Sequence, residues 1–268
     1  VSLRLVTYLV PGLPVELFEL AAASFGPRTE LVVDDRASGP PLGEPDPFTL
    51  GTVDVGFLCA PSYLRLRRAG APVELLGVAP VFADPRAGRR PVYFADLVVR
   101  ADSAAVRLED LAGTRFGFND ELSLSGLLAM RLRLAELGRD GSFFGELVPT
   151  GSHEASVRAL LDGRIDAACL DSTIRWLRRD DPAWSGVLRL VEALGPHPIQ
   201  PVVVHSAMPP AERSRLVDRL IGLTRSPPAR AMLASLGCVG FGAVDPADYA
   251  HLDTRLQRAI VHQGPSSL

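Results

Sequence analysis

An α/β fold in two lobes is what this sequence predicts, and three observations carry the prediction. Short β-branched runs alternate with amphipathic helical ones, the pattern of sheets covered by helices. The 268 residues, 47% of them hydrophobic, suffice to bury a large core as one large domain or two lobes. Two extended stretches, 91–99 and 195–201, read as crossings between lobes; the second holds Pro196, Pro198 and Pro201, which forbid helix and favour a stiff connection.

Strand 3–9 opens the chain, followed by helix 14–25 and strand 30–34. The stretch from Ala37 to Pro45 is too rich in proline and glycine for either element. Strand 53–58 then runs into helix 61–69, with Pro61 in the first helical turn. Strands 73–79 and 92–100 come next, separated by the polar turn 84–90. Beyond them the pattern reads strand 115–119, helix 126–137, strand 146–149, helix 153–162, strand 165–170, helix 172–179 and strand 187–192. Gly163 suits a helix C-terminus. Strand 200–205 and helices 209–225, 227–236 and 246–259 complete the chain, with Pro209 and Pro210 suited to a first helical turn. The expected lobes are 1–90 with 200–268, and 91–199, with crossovers near 88–95 and 194–201 and a ligand cleft between the lobes.

Composition excludes several function classes. A net charge of −3 and a pI near 6.0 would draw neither nucleic acid nor an anionic membrane surface. All 28 basic residues are arginine, so lysine Schiff-base chemistry is out of consideration. Cys59, Cys169 and Cys238 are far apart in apolar sequence and read as buried thiols rather than a disulfide scaffold or metal site. No cofactor is expected, and no apolar stretch reaches the roughly 18 residues that span a bilayer. The chain starts directly on the strand-like Leu3 to Tyr8, without a charged and apolar leader; either an export signal was removed or the protein stays in the cytoplasm.

Two strand-to-helix junctions carry the chemistry. In the first, Arg115 to Asp120 leads into Ser123-Leu124-Ser125-Gly126 and an apolar helical run. In the second, Thr150-Gly151-Ser152-His153-Glu154 leads into Ala155, Val157, Leu160 and Leu161 at helical spacing. A helix start has unpartnered N–H groups and a partial positive charge, so hydroxyls beside it hold an oxyanion without any lysine. The expected ligand set is Ser123, Ser125, Gly126, Ser152 and His153, with Tyr93 from the crossing strand and Asp171 ahead of helix 172–179. Ser62, in the turn after strand 53–58, and Tyr8, before Pro11-Gly12-Leu13-Pro14, are candidates for the opposing wall. Each residue also has a purely structural reading: serines and Asp171 cap helices, and a tyrosine in an apolar strand is core.

Several pieces in fixed order carry a family resemblance. They are 92–103 (VYFADLVVRADS), 108–113 (LEDLAG), 119–126 (NDELSLSG), 151–157 (GSHEASV) and 163–172 (GRIDAACLDS). Together they resemble the phosphate/phosphonate substrate-binding proteins of ABC transporters. The resemblance implies a type II periplasmic-binding-protein fold, each lobe a mixed sheet flanked by helices, closing on a small oxyanion for an ABC permease. It implies a hydroxyl contact from Tyr93, the serine turn at Ser123 and Ser125, and a donor in His153. It also implies a periplasmic location; a monomer is expected. Leu124 departs from the family's threonine. Thr173 and Gln200 stand where members that bind aminoalkyl phosphonates carry carboxylates, which disfavours 2-aminoethylphosphonate because a buried ammonium needs counter-charges. Asp171 lies close enough in sequence to supply part of that charge. The competing classes are a cytoplasmic enzyme on the same fold, of menaquinone-pathway or pyrimidine-precursor type, with His153, Asp171 and Glu154 as acid/base groups, and a ligand sensor.

Overall fold

The computed structural model describes residues 2–9, 12–36 and 38–263; Pro11 and Ala37 lie outside them. The chain opens with β1 (Leu3–Thr7), α1 (Val15–Phe25), β2 (Thr29–Val33), β3 (Val55–Phe57), α2 (Ala60–Arg68), β4 (Val73–Leu75) and β5 (Val78–Phe82). It continues through β6 (Val92–Arg100), β7 (Arg115–Phe118), α3 (Ala129–Glu136), β8 (Glu146–Pro149), α4 (His153–Leu161), β9 (Ala167–Asp171) and α5 (Ser172–Leu177). It ends with β10 (Leu188–Pro198), β11 (Val202–His205), α6 (Pro210–Gly222), α7 (Pro227–Ser235), β12 (Cys238–Ala243) and α8 (Pro246–Gln263).

Two compact units result. One holds the residues up to Val92 with Pro198–Ala250; the other holds Tyr93–His197 with the chain from His251. The start of α8 therefore clusters with the first unit and its remainder with the second. There Arg255 pairs with Glu136 of α3 at 2.8 Å.

In the first unit the sheet runs β2-β1-β3-β11-β4, with β1 parallel to β2 and β3, and β11 antiparallel to β3 and β4. Its core holds Leu5, Phe18, Phe48, Phe57 and Val203. Phe18 and Phe57 meet edge-on with centroids 5.1 Å apart. A separate antiparallel pair joins β12 to β5.

In the second unit the order is β10-β6-β9-β7-β8, with β7 parallel to β8 and β9, and β6 antiparallel to β9. Phe116, Leu97, Leu124 and Cys169 lie in its core. A β-carbon on Gly117 would sit 2.3 Å from Ile165 Cδ1, so the bare glycine lets β7 meet that side chain closely. Burial raises the thiol pKa of Cys169 well above its ordinary value, and that of Cys238 to about 11. These are inert core groups.

Three differences from the expected segmentation have local causes. The stretch 73–79 is two strands, because Gly77 turns the chain in the left-handed region at φ 90°. β12 was not expected: Gly240 and Gly242 interrupt its alternation, and Gly242 is in place because Val81 lies 3.0 Å from where its β-carbon would be. β10 runs through Pro196 and Pro198 of the expected crossing; it is an edge strand, where a residue without an N–H is tolerated. No described helix is long and apolar enough to cross a membrane.

Candidate functional site

The parallel pairing of β7 with β8 builds the site. Phe118 is in register with Pro149, so the two strands end side by side and the chains leaving them start neighbouring helices. Thr150 extends the pairing: its N–H donates to the Phe118 carbonyl at 2.8 Å and its hydroxyl to the same oxygen at 2.9 Å. The Thr150 hydroxyl also lies 2.6 Å from Ser156 Oγ, which fixes α4 to the end of β7.

At the first junction the helix starts as a π turn over Leu124–Leu128 before α3, two residues earlier than the sequence pattern indicates. Ser123 caps it, accepting from the Gly126 N–H at 3.1 Å. The wide turn leaves Ser125 off the capping role and aims it across the junction: Ser125 Oγ lies 3.3 Å from His153 Nε2. Both residues are buried, as is Ser123. The second junction places His153 in the first turn of α4, capped by Ser152, whose hydroxyl accepts from the Ala155 N–H at 3.0 Å.

The electrostatics decide how such a site meets an anion. Burial lowers the His153 pKa to about 4, with a backbone hydrogen bond to Cys169 and the nearby Asp120 acting in the opposite direction. The imidazole is therefore neutral at neutral pH, with a proton on one ring nitrogen and a lone pair on the other. Beside the ring lie the Ser123 and Ser125 hydroxyls, at the start of the neighbouring helical segment. Such groups replace an anion's hydration without a counter-ion.

The remaining expected residues are placed as follows. Tyr93, in β6, is buried in the same unit, edge-on to His197 with ring centroids 6.3 Å apart. Asp171 ends β9 and caps α5, accepting from the Thr173 N–H at 2.7 Å. Glu154 pairs with Arg178 on the surface. Ser62 and Tyr8 belong to the first unit. Ser62 is fully buried beneath Gly39, whose β-carbon position is 2.3 Å from Ser62 Oγ, so that loop covers the hydroxyl. Tyr8 is also buried, and its phenol pKa is raised by that burial first and by Asp34 second.

Sequence reasoning missed two polar groups in the second unit. Asn119, directly after β7, turns its amide onto the Ser123–Gly126 turn; asparagine between a strand and a serine-rich helix start was the available signal. His197 is buried with both ring nitrogens enclosed and without a hydrogen-bond partner, and its pKa is lowered to about 4 by burial and then by Arg255. It lines a 390 Å³ recess with Arg133, Glu136, Glu192 and Arg255. The arginines of that recess are already matched, Arg133 to Glu192 and Arg255 to Glu136, each at 2.8 Å. Among the described residues, no group of three or more His, Cys, Asp or Glu is placed to hold a metal ion.

A mixed sheet flanked by helices in each unit is the type II periplasmic-binding-protein fold. The chain belongs to the ABC-transporter phosphonate periplasmic substrate-binding protein family, whose model matches residues 47–249. That family is a transporter component that binds a substrate, not an enzyme. The family resemblance read from the sequence thus holds, and the enzyme reading falls away. No curated protein matches the chain.

Solved structures agree on the fold. The phosphonate protein PhnD1 of Prochlorococcus marinus, in complex with methylphosphonate, has a TM-score of 0.77 at 14% identity, covering 96% of this chain and 97% of its own. A binding component of an ABC phosphonate transporter from Pseudomonas aeruginosa has a TM-score of 0.76 at 18% identity, covering 99% and 89%. A Xanthomonas citri protein bound to ATP has a TM-score of 0.71 at 20% identity, covering 97% and 98%.

Proposed function

We propose that the turn from Ser123 to Gly126, together with His153, seats the phosphoryl end of a phosphonate or phosphate ester. The ligand's organic part is neutral or apolar. The observation that carries this reading is the buried contact of 3.3 Å between Ser125 Oγ and His153 Nε2, two uncharged polar groups held at the ends of two parallel strands. Tyr93 and Ser152 complete the donor set in this reading, and Asp171 serves α5 as its cap.

In this reading the units are the two lobes of the transporter component. They close on the ligand because it favours the closed state, and an ABC permease receives that form. Thr173 and Gln200 are buried and uncharged, so an ammonium group on the ligand meets no carboxylate from either. Methylphosphonate is therefore preferred over 2-aminoethylphosphonate.

A thermal-shift panel of methylphosphonate, phosphate, sulfate and 2-aminoethylphosphonate tests this. A ligand at 100 times its dissociation constant adds about 2.7 kcal/mol of stability, which moves the transition visibly. Methylphosphonate is expected to give a shift and 2-aminoethylphosphonate a smaller one. The absence of a shift with every phospho-oxyanion overturns the proposal.

A further inference from the structure

One more polar side chain lies on the serine turn. The Asn119 amide oxygen is buried and has no hydrogen-bond partner. A β-carbon on Gly126 would fall 1.6 Å from that oxygen and 3.1 Å from Ser123 Oγ. The amide therefore rests on the bare Cα of Gly126, beside the hydroxyl that caps the turn, and only glycine at 126 lets it approach so far.

This contact orients the amide. With Oδ1 against Gly126, the oxygen receives a weak Cα–H contact; turned over, the amide would press its own N–H against that hydrogen. Asn119 as a whole is only half-buried. The end left to reach a ligand is then Nδ2, which carries two donors and no lone pair to repel an anion. Leaving a carbonyl oxygen buried on so weak a contact costs stability, and such groups call for a reason beyond packing. The neighbouring Leu124 is fully buried and brings no hydroxyl to the turn.

Resting on the phospho-oxyanion reading of this turn, we infer that Asn119 is a ligand-binding residue whose Nδ2 donates to a phosphonate oxygen. Gly126 is its seat: the missing side chain there fixes the direction of the amide. The turn then presents Ser123, Ser125 and Asn119 from one side and His153 from the other.

Isothermal titration of methylphosphonate into wild type, Asn119→Ala, Asn119→Asp and Ser125→Ala decides the matter. Asn119→Ala should weaken binding by about tenfold, the loss of one donor to a charged acceptor. Asn119→Asp keeps the shape and sets a negative charge against the ligand, so it should weaken binding by about a hundredfold or more at pH 7.5. That affinity should recover on acidification as the introduced carboxyl takes up a proton, a response that a residue with only a packing role would not give. The isosteric variant carries the comparison if the alanine variant does not fold. Ser125→Ala weakened while both Asn119 variants keep wild-type affinity would overturn this inference and leave the phospho-oxyanion reading standing. A wild type that ignores methylphosphonate overturns both.

Discussion

Acid should destabilise the second unit through its two buried histidines, and His153→Gln isolates one of them. The folded pKa of His153 is about 4, against 6.5 for an unburied imidazole. The sign follows from proton counting. Between those values the unfolded chain holds a proton that the folded chain does not, so stability is full above pH 6.5 and is lost as pH falls toward 4. From pH 7.5 to pH 4.5 the loss is about 2.5 kcal/mol for one such group. His197, with its pKa also near 4, adds a similar amount. The carboxylates held low by arginine partners, Asp34, Asp54 and Asp166, start from 3.8 and act at lower pH.

Both tryptophans, Trp176 and Trp184, lie in the second unit, so their fluorescence in a urea titration reports on the region that holds the histidines. His153→Gln should shrink the pH-dependent loss by about 2.5 kcal/mol, and His197→Phe by a similar step. A wild-type loss that persists undiminished in both variants would refute the reasoning. Bound methylphosphonate should also raise the His153 pKa, so binding at pH 5.5 should take up protons, measured by titration in buffers of different ionisation enthalpy.

Two further outcomes are expected. Gly126→Ala would place a β-carbon 1.6 Å from Asn119 Oδ1. It should lower stability by about 1–3 kcal/mol in urea unfolding and weaken methylphosphonate binding together; an unchanged variant would remove the close packing assigned to that glycine. Thr150→Val removes hydroxyl contacts to the Phe118 carbonyl and to buried Ser156. It should cost about 1–3 kcal/mol, and hydrogen exchange should show faster opening at the start of α4 than at its end.

Much of the site was legible before any coordinates. Ser123 and Ser152 stand before apolar helical runs, and each caps its helix, because a short hydroxyl at a helix start has few better partners than the open N–H groups. What brought Ser125 and His153 together was not local. It depends on β7 pairing in parallel with β8, and a sequence separation of 28 between Ser125 and His153 says nothing about register. The π turn was invisible for a similar reason: an apolar run of Leu124, Leu127 and Leu128 fits α and π spacing alike until the capping contacts are known. His153 illustrates a failure of electrostatics read from sequence. A histidine in a first helical turn looks exposed and protonatable, whereas burial makes this one neutral. β12 and the role of Gly126 were lost because glycine reads as a breaker, while here the missing side chain admits Val81 against Gly242 and Asn119 against Gly126.

Calorimetric titration of methylphosphonate at pH 7.5 into wild type and the Ser125→Ala, His153→Ala double variant tests the central claim most directly. Wild type should bind, and the double variant should lose about a hundredfold or more in affinity, as expected when two donors to a charged oxygen disappear. Equal affinity in a correctly folded double variant would contradict the account and place the ligand elsewhere on the protein.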